Sequence, residues 1–383
     1  MSNNNLPEIF ETFTDARKKG FLTMKEEKDK GRKVVGSFCT YTPKEVIYAA
    51  DAISVSLCST NEETIPEAEK YLPKNLCPLI KSSYGFAITD RCPYMYFSDL
   101  IIGETTCDGK KKMYELLGEI KNTYVMQLPH FQNEYSLALW KNEIAELIKR
   151  LEKEFNIEIT EEKLKESIKL FNEERKVIKE LYELGKLNPS PIKGSEMHEA
   201  LHSSNYKFDR LAYINEIKEL IKNLKEMHSQ NNQKEYNQNT PRILITGCPT
   251  GGLVDKVIKQ IEEVGASVVC FESCLGSKNF EILVDENKDP IEAIAEKYLN
   301  IPCSVMSPND DRMDIIKKYI EEYNVDGVVE VTLTSCHTYA IETEKVRRTV
   351  ESMGKSYLNI ETNYSNSDAP QLRTRLEAFV EML

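Results

Sequence analysis

Apolar residues along this chain follow two rhythms. Short runs rich in Val, Ile, Leu and aromatic residues, bounded by turn residues, predict strands at 34–38, 53–57, 100–103 and 124–128 near the start. Others follow at 242–246, 266–271, 327–333 and 357–360 near the end. A short helical lead precedes the first strand. Thr42-Pro43 opens a helix over 44–50, because a missing N–H costs nothing in a first helical turn. Helical stripes recur at 254–264, 315–323 and 371–383. Strands alternating with helices predict mostly parallel sheets covered by helices on both faces.

The middle of the chain keeps only the helical rhythm. Trp140, Ile144, Leu147, Ile148, Leu151 and Phe155 form one stripe, and Leu164, Ile168, Phe171, Ile178 and Leu181 form the next. Thr160 is placed to cap the second helix, with Glu161 and Glu162 in its first turn. A third helix is expected over 209–227, followed by a polar, Asn/Gln-rich linker at 228–240. The fold class is therefore α/β: two open parallel-sheet domains, Rossmann- or flavodoxin-like, with a helical segment between them. The expected parts are 1–135, 136–235 and 236–383. The two α/β parts look alike in build but carry no strong internal sequence repeat.

Composition narrows the function. The chain has 383 residues and a formal net charge of -12, which disfavours nucleic acid and anionic membrane as partners. No apolar run approaches the roughly 20 residues of a membrane span, and the first residues lack the pattern of a secretory leader. A soluble, cytoplasmic protein is expected. Ten cysteines are more than such a chain needs for packing, and the cytoplasm would keep them reduced.

Their positions carry the chemistry. Cys39, Cys58, Cys107, Cys248 and Cys336 each fall at or just past the end of an expected strand, and Cys270 and Cys274 flank the end of 266–271. Open α/β sheets bind ligands outside the carboxyl ends of their strands. Structural zinc favours CxxC pairs, and none occurs here, although Cys270 and Cys274 make a CxxxC pair. Widely spaced single thiols suit an iron–sulfur cluster. Zinc and buried structural thiols stay open as alternatives. The loop Gly247-Cys248-Pro249-Thr250-Gly251-Gly252 lacks the Lys-Ser/Thr ending of a P-loop and reads as a tight turn rather than a nucleotide cradle. His337, Asp108, Glu104, Glu330 and Glu361 lie near strand ends and could move protons, but no spacing rule selects among them.

A set of motifs then points to a family. They are Gly36-Ser37-Phe38-Cys39-Thr40-Tyr41-Thr42-Pro43-Lys44-Glu45, Leu76-Cys77-Pro78-Leu79-Ile80-Lys81-Ser82-Ser83 and Gly103-Glu104-Thr105-Thr106-Cys107-Asp108-Gly109-Lys110-Lys111. Further on come Ile245-Thr246-Gly247-Cys248-Pro249, Cys274-Leu275-Gly276, Ser335-Cys336-His337 and Arg373-Thr374-Arg375. As a set they resemble the 2-hydroxyacyl-CoA dehydratase and benzoyl-CoA reductase subunit family, and within it the double-cubane-cluster branch. The resemblance covers nearly the whole chain. It implies one [4Fe–4S] cluster held by Cys77, Cys107 and Cys336. In the double-cubane branch it implies an [8Fe–9S] cluster with six cysteines, the others here being Cys39, Cys274 and Cys248, with Cys270, Cys303, Cys58 and Cys92 in reserve. His337, Glu330 and Glu361 are the candidate catalytic groups. The family often has Glu-x-Asp where this chain has Glu361-Thr362-Asn363, which puts an acid role at 363 in doubt.

The resemblance also implies partners: a separate ATP-dependent iron–sulfur activator, a second copy of the chain in a homodimer, and a small-molecule substrate. Three functions follow. The first is a double-cubane reductase. The second is a one-cluster 2-hydroxyacyl-CoA dehydratase subunit that works through a ketyl radical. The third is a non-enzymatic iron–sulfur scaffold. The surplus of cysteines favours the first over the second.

Overall fold

The computed structural model describes residues 11–230 and 237–383, so part of the expected linker at 228–240 lies outside the described residues. Among the described residues there are eight strands: Val34–Ser37 (β1), Ile53–Ser56 (β2), Leu100–Glu104 (β3), Thr123–Met126 (β4), Arg242–Gly247 (β5), Ser267–Glu272 (β6), Gly327–Leu333 (β7) and Ser356–Thr362 (β8). They form two four-stranded sheets in the orders β2-β1-β3-β4 and β6-β5-β7-β8. Every pairing is parallel. Counted from each sheet's first strand, the two orders are the same. The halves thus repeat in topology without repeating in sequence.

The apolar runs found these strands because helices cover both faces of the sheets. All residues of β5, β6 and β7 are buried, so no polar alternation interrupts the run. The edge strands β4 and β8 are partly exposed and mix in polar residues.

Three long helices fill the middle as their stripes predict: Glu134–Phe155, Glu161–Glu183 and Arg210–Ser229. Each has a side-chain cap. Asn133 accepts from the Ser136 N–H at 2.9 Å, Thr160 from Lys163 at 3.3 Å, and Asp209 from Ala212 at 2.9 Å. Glu161–Glu183 packs on Lys44–Ala49 from the first half, while Glu134–Phe155 packs on Pro290–Leu299 from the second. The Tyr182 hydroxyl donates to the Phe271 carbonyl of β6 at 2.7 Å. These helices therefore brace both sheets.

Two local expectations change. Pro43 is the extended residue ahead of Lys44–Ala49 rather than its first helical residue. The stripe at 254–264 is not one regular helix. It begins with a wide π-turn, Val254–Ile258, and becomes α-helical only over Lys259–Glu263. The preceding loop explains the irregular start, because it is pinned across the molecule. A Cβ on Gly252 would lie 2.0 Å from the Thr60 carbonyl oxygen, beyond the end of β2. Gly247, at φ +111, leaves no room beside the Val331 carbonyl. Gly247 and Gly252 thus serve close backbone contact.

Candidate metal centre

Parallel strands of one sheet all end on one edge, and both sheets present that edge to a shared cleft. The strand ends supply thiols in matching places. Cys39 follows β1 as Cys248 follows β5. Cys58 follows β2 as Cys274 follows β6. Cys107 follows β3 as Cys336 follows β7. Cys77 and Cys336 each stand at the residue before a helix, Pro78–Ile88 and His337–Ser352. Free N–H groups at a helix start favour thiolate, but at Cys77 the neighbouring Cys336 and burial outweigh the Leu79 and Ile80 N–H groups and push the thiol up.

The thiols fall into two groups. In the first, the neighbouring Cys248 and Cys77 thiols pull Cys336 well below the usual thiol range, with help from the Tyr339 N–H and against burial. The Leu333 N–H donates to the Cys248 sulfur at 3.3 Å. Burial and the charge of Cys336 push Cys248 up in turn. In the second group, burial raises the Cys39 thiol, with Cys274 and Cys303 adding to the rise and Lys110 opposing it. Cys274 is raised by burial and by Cys303, against Lys278 and a hydrogen bond from Thr40. Cys58 donates to the Phe38 carbonyl, which also accepts from Lys110 at 3.3 Å.

Other cysteines are placed differently. Cys107 stands half-buried before the helix Asp108–Gly118, and among the described residues no hydrogen bond joins its thiol to another. Cys92 precedes the short helix Pro93–Phe97. Cys270 corrects an expectation: it lies inside β6, fully buried, and does not flank the strand end. Although β6 is an edge strand, all of its residues are buried, so the Cys270 thiol is packing. Among the described residues, no three or more His, Cys, Asp or Glu side chains converge tightly enough for a single metal ion.

Whether a multinuclear iron–sulfur group fits can be tested on the protein itself. The donor set is soft thiolate sulfur, which such clusters require. The Tyr364 hydroxyl is buried without a hydrogen-bond partner, and the charges of Cys77, Cys248, Cys58 and Cys336 all act on it. A buried hydroxyl left unpaired against several thiols is what an acceptor bound among them would relieve. The residues fit the group.

A cavity of about 170 Å³ opens on the second thiol group. Cys39, Cys58 and Cys274 line it with Phe38, Lys44 and Lys110. Burial and the nearby Arg210 and Arg175 guanidinium groups lower Lys44 to about 8, against the pull of Glu174 and Glu45. Glu104, at the end of β3, accepts from the Thr42 hydroxyl and is pushed up to about 8 by burial, with Lys110 opposing.

The proton-moving candidates are not gathered at one point. His337 is exposed at the first position of its helix, beside Cys336. Glu361 is exposed on β8. Glu330 is fully buried in β7, where Arg312 binds one oxygen at 3.1 Å and Tyr357 donates to the other at 2.6 Å. Asn363 shapes a turn, accepting from the Ser365 N–H at 2.8 Å. Cys303 had no strand end to mark it. It sits in the loop after Pro290–Leu299, which Tyr41 holds by donating to the Ile301 carbonyl at 2.8 Å.

Comparison with known proteins defines the class that this fold and thiol-lined cleft represent. The family described as "2-hydroxyglutaryl-CoA dehydratase, D-component" matches residues 39–383, and the chain belongs to that family. It is 49% identical over 381 residues to the protein named "Putative dehydratase subunit YjiM" of Escherichia coli (strain K12), covering 99% of each chain. It is 24% identical over 365 residues to the (R)-phenyllactyl-CoA dehydratase beta subunit of Clostridium sporogenes, covering 94% of each. It is 22% identical over 329 residues to a benzoyl-CoA reductase subunit of Thauera aromatica, covering 83% of this chain and 82% of that one. No helix among the described residues is long and apolar enough to cross a membrane.

Proposed function

We propose that this chain is the cluster-bearing subunit of a low-potential reductase that holds a double-cubane [8Fe–9S] cluster in the cleft between its two α/β halves. The observation that carries this reading is the presence of two thiol groups at one cleft. Cys39, Cys274 and Cys303 form one group. Cys77, Cys248 and Cys336 form the other, with Cys107 at the strand end equivalent to Cys336. Cys303 joins the candidates because it acts on both Cys39 and Cys274. A cluster bound there would supply one-electron chemistry at low potential.

The chain's own residues do the rest. Buried walls exclude water from the thiols, and Lys110 and Lys278 bring positive charge to thiolate ligands that would otherwise repel one another. Lys44 gives the cavity a cation that can hold an anionic part of a small substrate. His337 stands where it can pass protons at the mouth, and Glu330 and Glu361 remain the other candidates for proton movement. The chain lacks a P-loop, so the reading includes a separate ATP-dependent iron–sulfur reductase as electron donor, a homodimer, and a cytoplasmic setting. The three parts 1–135, 136–235 and 236–383 are the domain division we assign.

The test is metal analysis of anaerobically purified protein. About eight irons per chain with matching acid-labile sulfide are expected. Stoichiometric zinc without sulfide would sink the reading. A second reading has a specific support, because relatives of this chain are named as 2-hydroxyacyl-CoA dehydratase subunits. In it, Cys77, Cys107 and Cys336 hold a single [4Fe–4S] cluster, and about four irons per chain would be found.

A further inference from the structure

The Tyr339 hydroxyl is buried against Lys278 and Cys303, and no role above has used it. Lys278 is fully buried and binds the Glu272 carboxylate at 2.8 Å. Its ammonium also donates to the Tyr339 hydroxyl at 2.9 Å. The same hydroxyl meets the Cys303 sulfur at 3.8 Å. Arg312 fixes the ring from another side, its guanidinium 5.0 Å from the ring centre. Arg312 is itself bound by Glu272 at 2.9 Å, Glu330 at 3.1 Å and Glu342 at 2.5 Å. The hydroxyl therefore cannot turn away from the sulfur without breaking a chain of charged contacts.

The direction of the contact follows from what each group can do. An ammonium only donates, so Lys278 occupies a lone pair of the Tyr339 oxygen. The one hydrogen of the hydroxyl is then free for Cys303. A cysteine that ligates metal is a thiolate and can only accept. We propose that Tyr339, oriented by Lys278, donates a hydrogen bond to the Cys303 thiolate and thereby raises the reduction potential of the cluster that this sulfur holds. Tyr339 and Lys278 are positioning residues: they act through the ligand and not on substrate. The inference rests on the iron–sulfur reading above. Its physical ground is that hydrogen bonds to cluster sulfurs withdraw charge and favour the more negative, reduced state.

The experiment is a redox titration of anaerobic Tyr339→Phe, followed by electron paramagnetic resonance, with iron, sulfide and melting temperature measured on the same samples. Phenylalanine keeps the ring between its two cations and removes only the hydroxyl. The expected result is unchanged iron and sulfide with one midpoint moved to more negative potential. Lys278→Gln leaves the hydroxyl in place but frees it from its cation. Losing this buried charge moves the midpoint in the same direction by itself, so the part that runs through the hydroxyl is the amount by which the double variant with Tyr339→Phe falls short of the two single shifts added. Iron retained with unmoved midpoints in Tyr339→Phe overturns the inference, whatever Lys278→Gln does. Iron lost from Tyr339→Phe at an unchanged melting temperature also overturns it, because the hydroxyl would then hold the ligand in place instead of tuning it. A wild-type protein without iron would overturn the iron–sulfur reading itself, so the two failures are told apart by the parent sample.

Discussion

Arg175 and Glu45 meet at 2.5 Å with 5% and 0% of their side chains exposed. This one ion pair ties the middle helix Glu161–Glu183 to the helix Lys44–Ala49, which follows β1 and Cys39. Tyr298, from the second half, donates to the other Glu45 oxygen at 2.7 Å. Three regions distant in sequence thus converge on one buried carboxylate. Removing one partner of such a pair leaves an uncompensated charge. Glu45→Ala should cost about 3–5 kcal/mol of stability, read by chemical denaturation of the metal-free protein. The paired change Glu45→Gln with Arg175→Met should recover a large part of that loss. Equal stability of Glu45→Ala and the parent would contradict the structural role given to the pair.

Gly252 tests how tightly the halves are joined. Gly252→Ala puts a Cβ 2.0 Å from the Thr60 carbonyl oxygen, a backbone atom that cannot swing aside. The neighbouring Gly251→Ala would meet only the Thr60 side chain, at 3.3 Å. The first variant should melt at lower temperature and expose its cleft thiols to a thiol reagent faster. The second should stay close to the parent. Similar behaviour of the two would refute the close approach.

The ligand assignment can be read one thiol at a time. Cys39→Ser and Cys303→Ser should each lower the iron content of anaerobic protein while part of it persists. Cys336→Ser should damage the site more, because Cys248 and Cys77 both act on that sulfur. Cys270→Ser is the control, since its thiol is enclosed in β6. It should keep its iron even if it melts lower. Loss of iron from Cys270→Ser, or full iron in Cys39→Ser and Cys303→Ser, would redraw the ligand set.

Lys44 has a chemical signature. Lowered to about 8, its amine is half neutral near that pH, whereas an ordinary lysine needs about 10.4. Competitive acetylation across pH, read by mass spectrometry, should give Lys44 a reactivity midpoint near 8. The linked stability has a defined sign. A folded-state pKa below the unfolded one means that burying the charge costs stability below about pH 8, and that this cost lifts as pH rises toward the unfolded value. A midpoint above 10 would contradict the burial of the amine beside Arg210 and Arg175.

Acid should act through a buried imidazole. Burial, followed by His202, lowers His198 to about 3. The unfolded chain takes up a proton near pH 6.5 while the folded one does not, so this histidine's share of stability is present above that pH and falls away toward about pH 3. His198→Leu should therefore lose less melting temperature than the parent between pH 6.5 and pH 4.5. An equal loss would place the acid sensitivity elsewhere.

The strands were legible because sheets covered on both faces leave unbroken apolar runs. Gly327–Leu333 is read to the residue, and the other strands shift by a few residues at most. The thiols at strand ends were legible for the same reason: once a strand is found, the parallel rule says which end faces the site. Cys303 was not. It follows a helix, and only the fold brings it near Cys39, more than 260 residues away in the chain. Cys270 misled because it stands close to the strand end in sequence, and only the fold shows its thiol enclosed within β6. The commitment of Glu330 to Arg312 was also hidden, since one lies on a strand and the other on a helix, and no single period relates positions on different elements.

Two sheets wound in the same strand order give the cleft a built-in approximate twofold character. Each position past a strand end on one side has a counterpart on the other: Cys39 and Cys248, Cys58 and Cys274, Cys107 and Cys336. A point substitution at one of these places adds or deletes a sulfur without moving any backbone. In a lineage built on this scaffold, the number of metal-binding thiols can change by single codons while the architecture is inherited intact. Relatives of one shape can therefore diverge in electron capacity far faster than they diverge in fold.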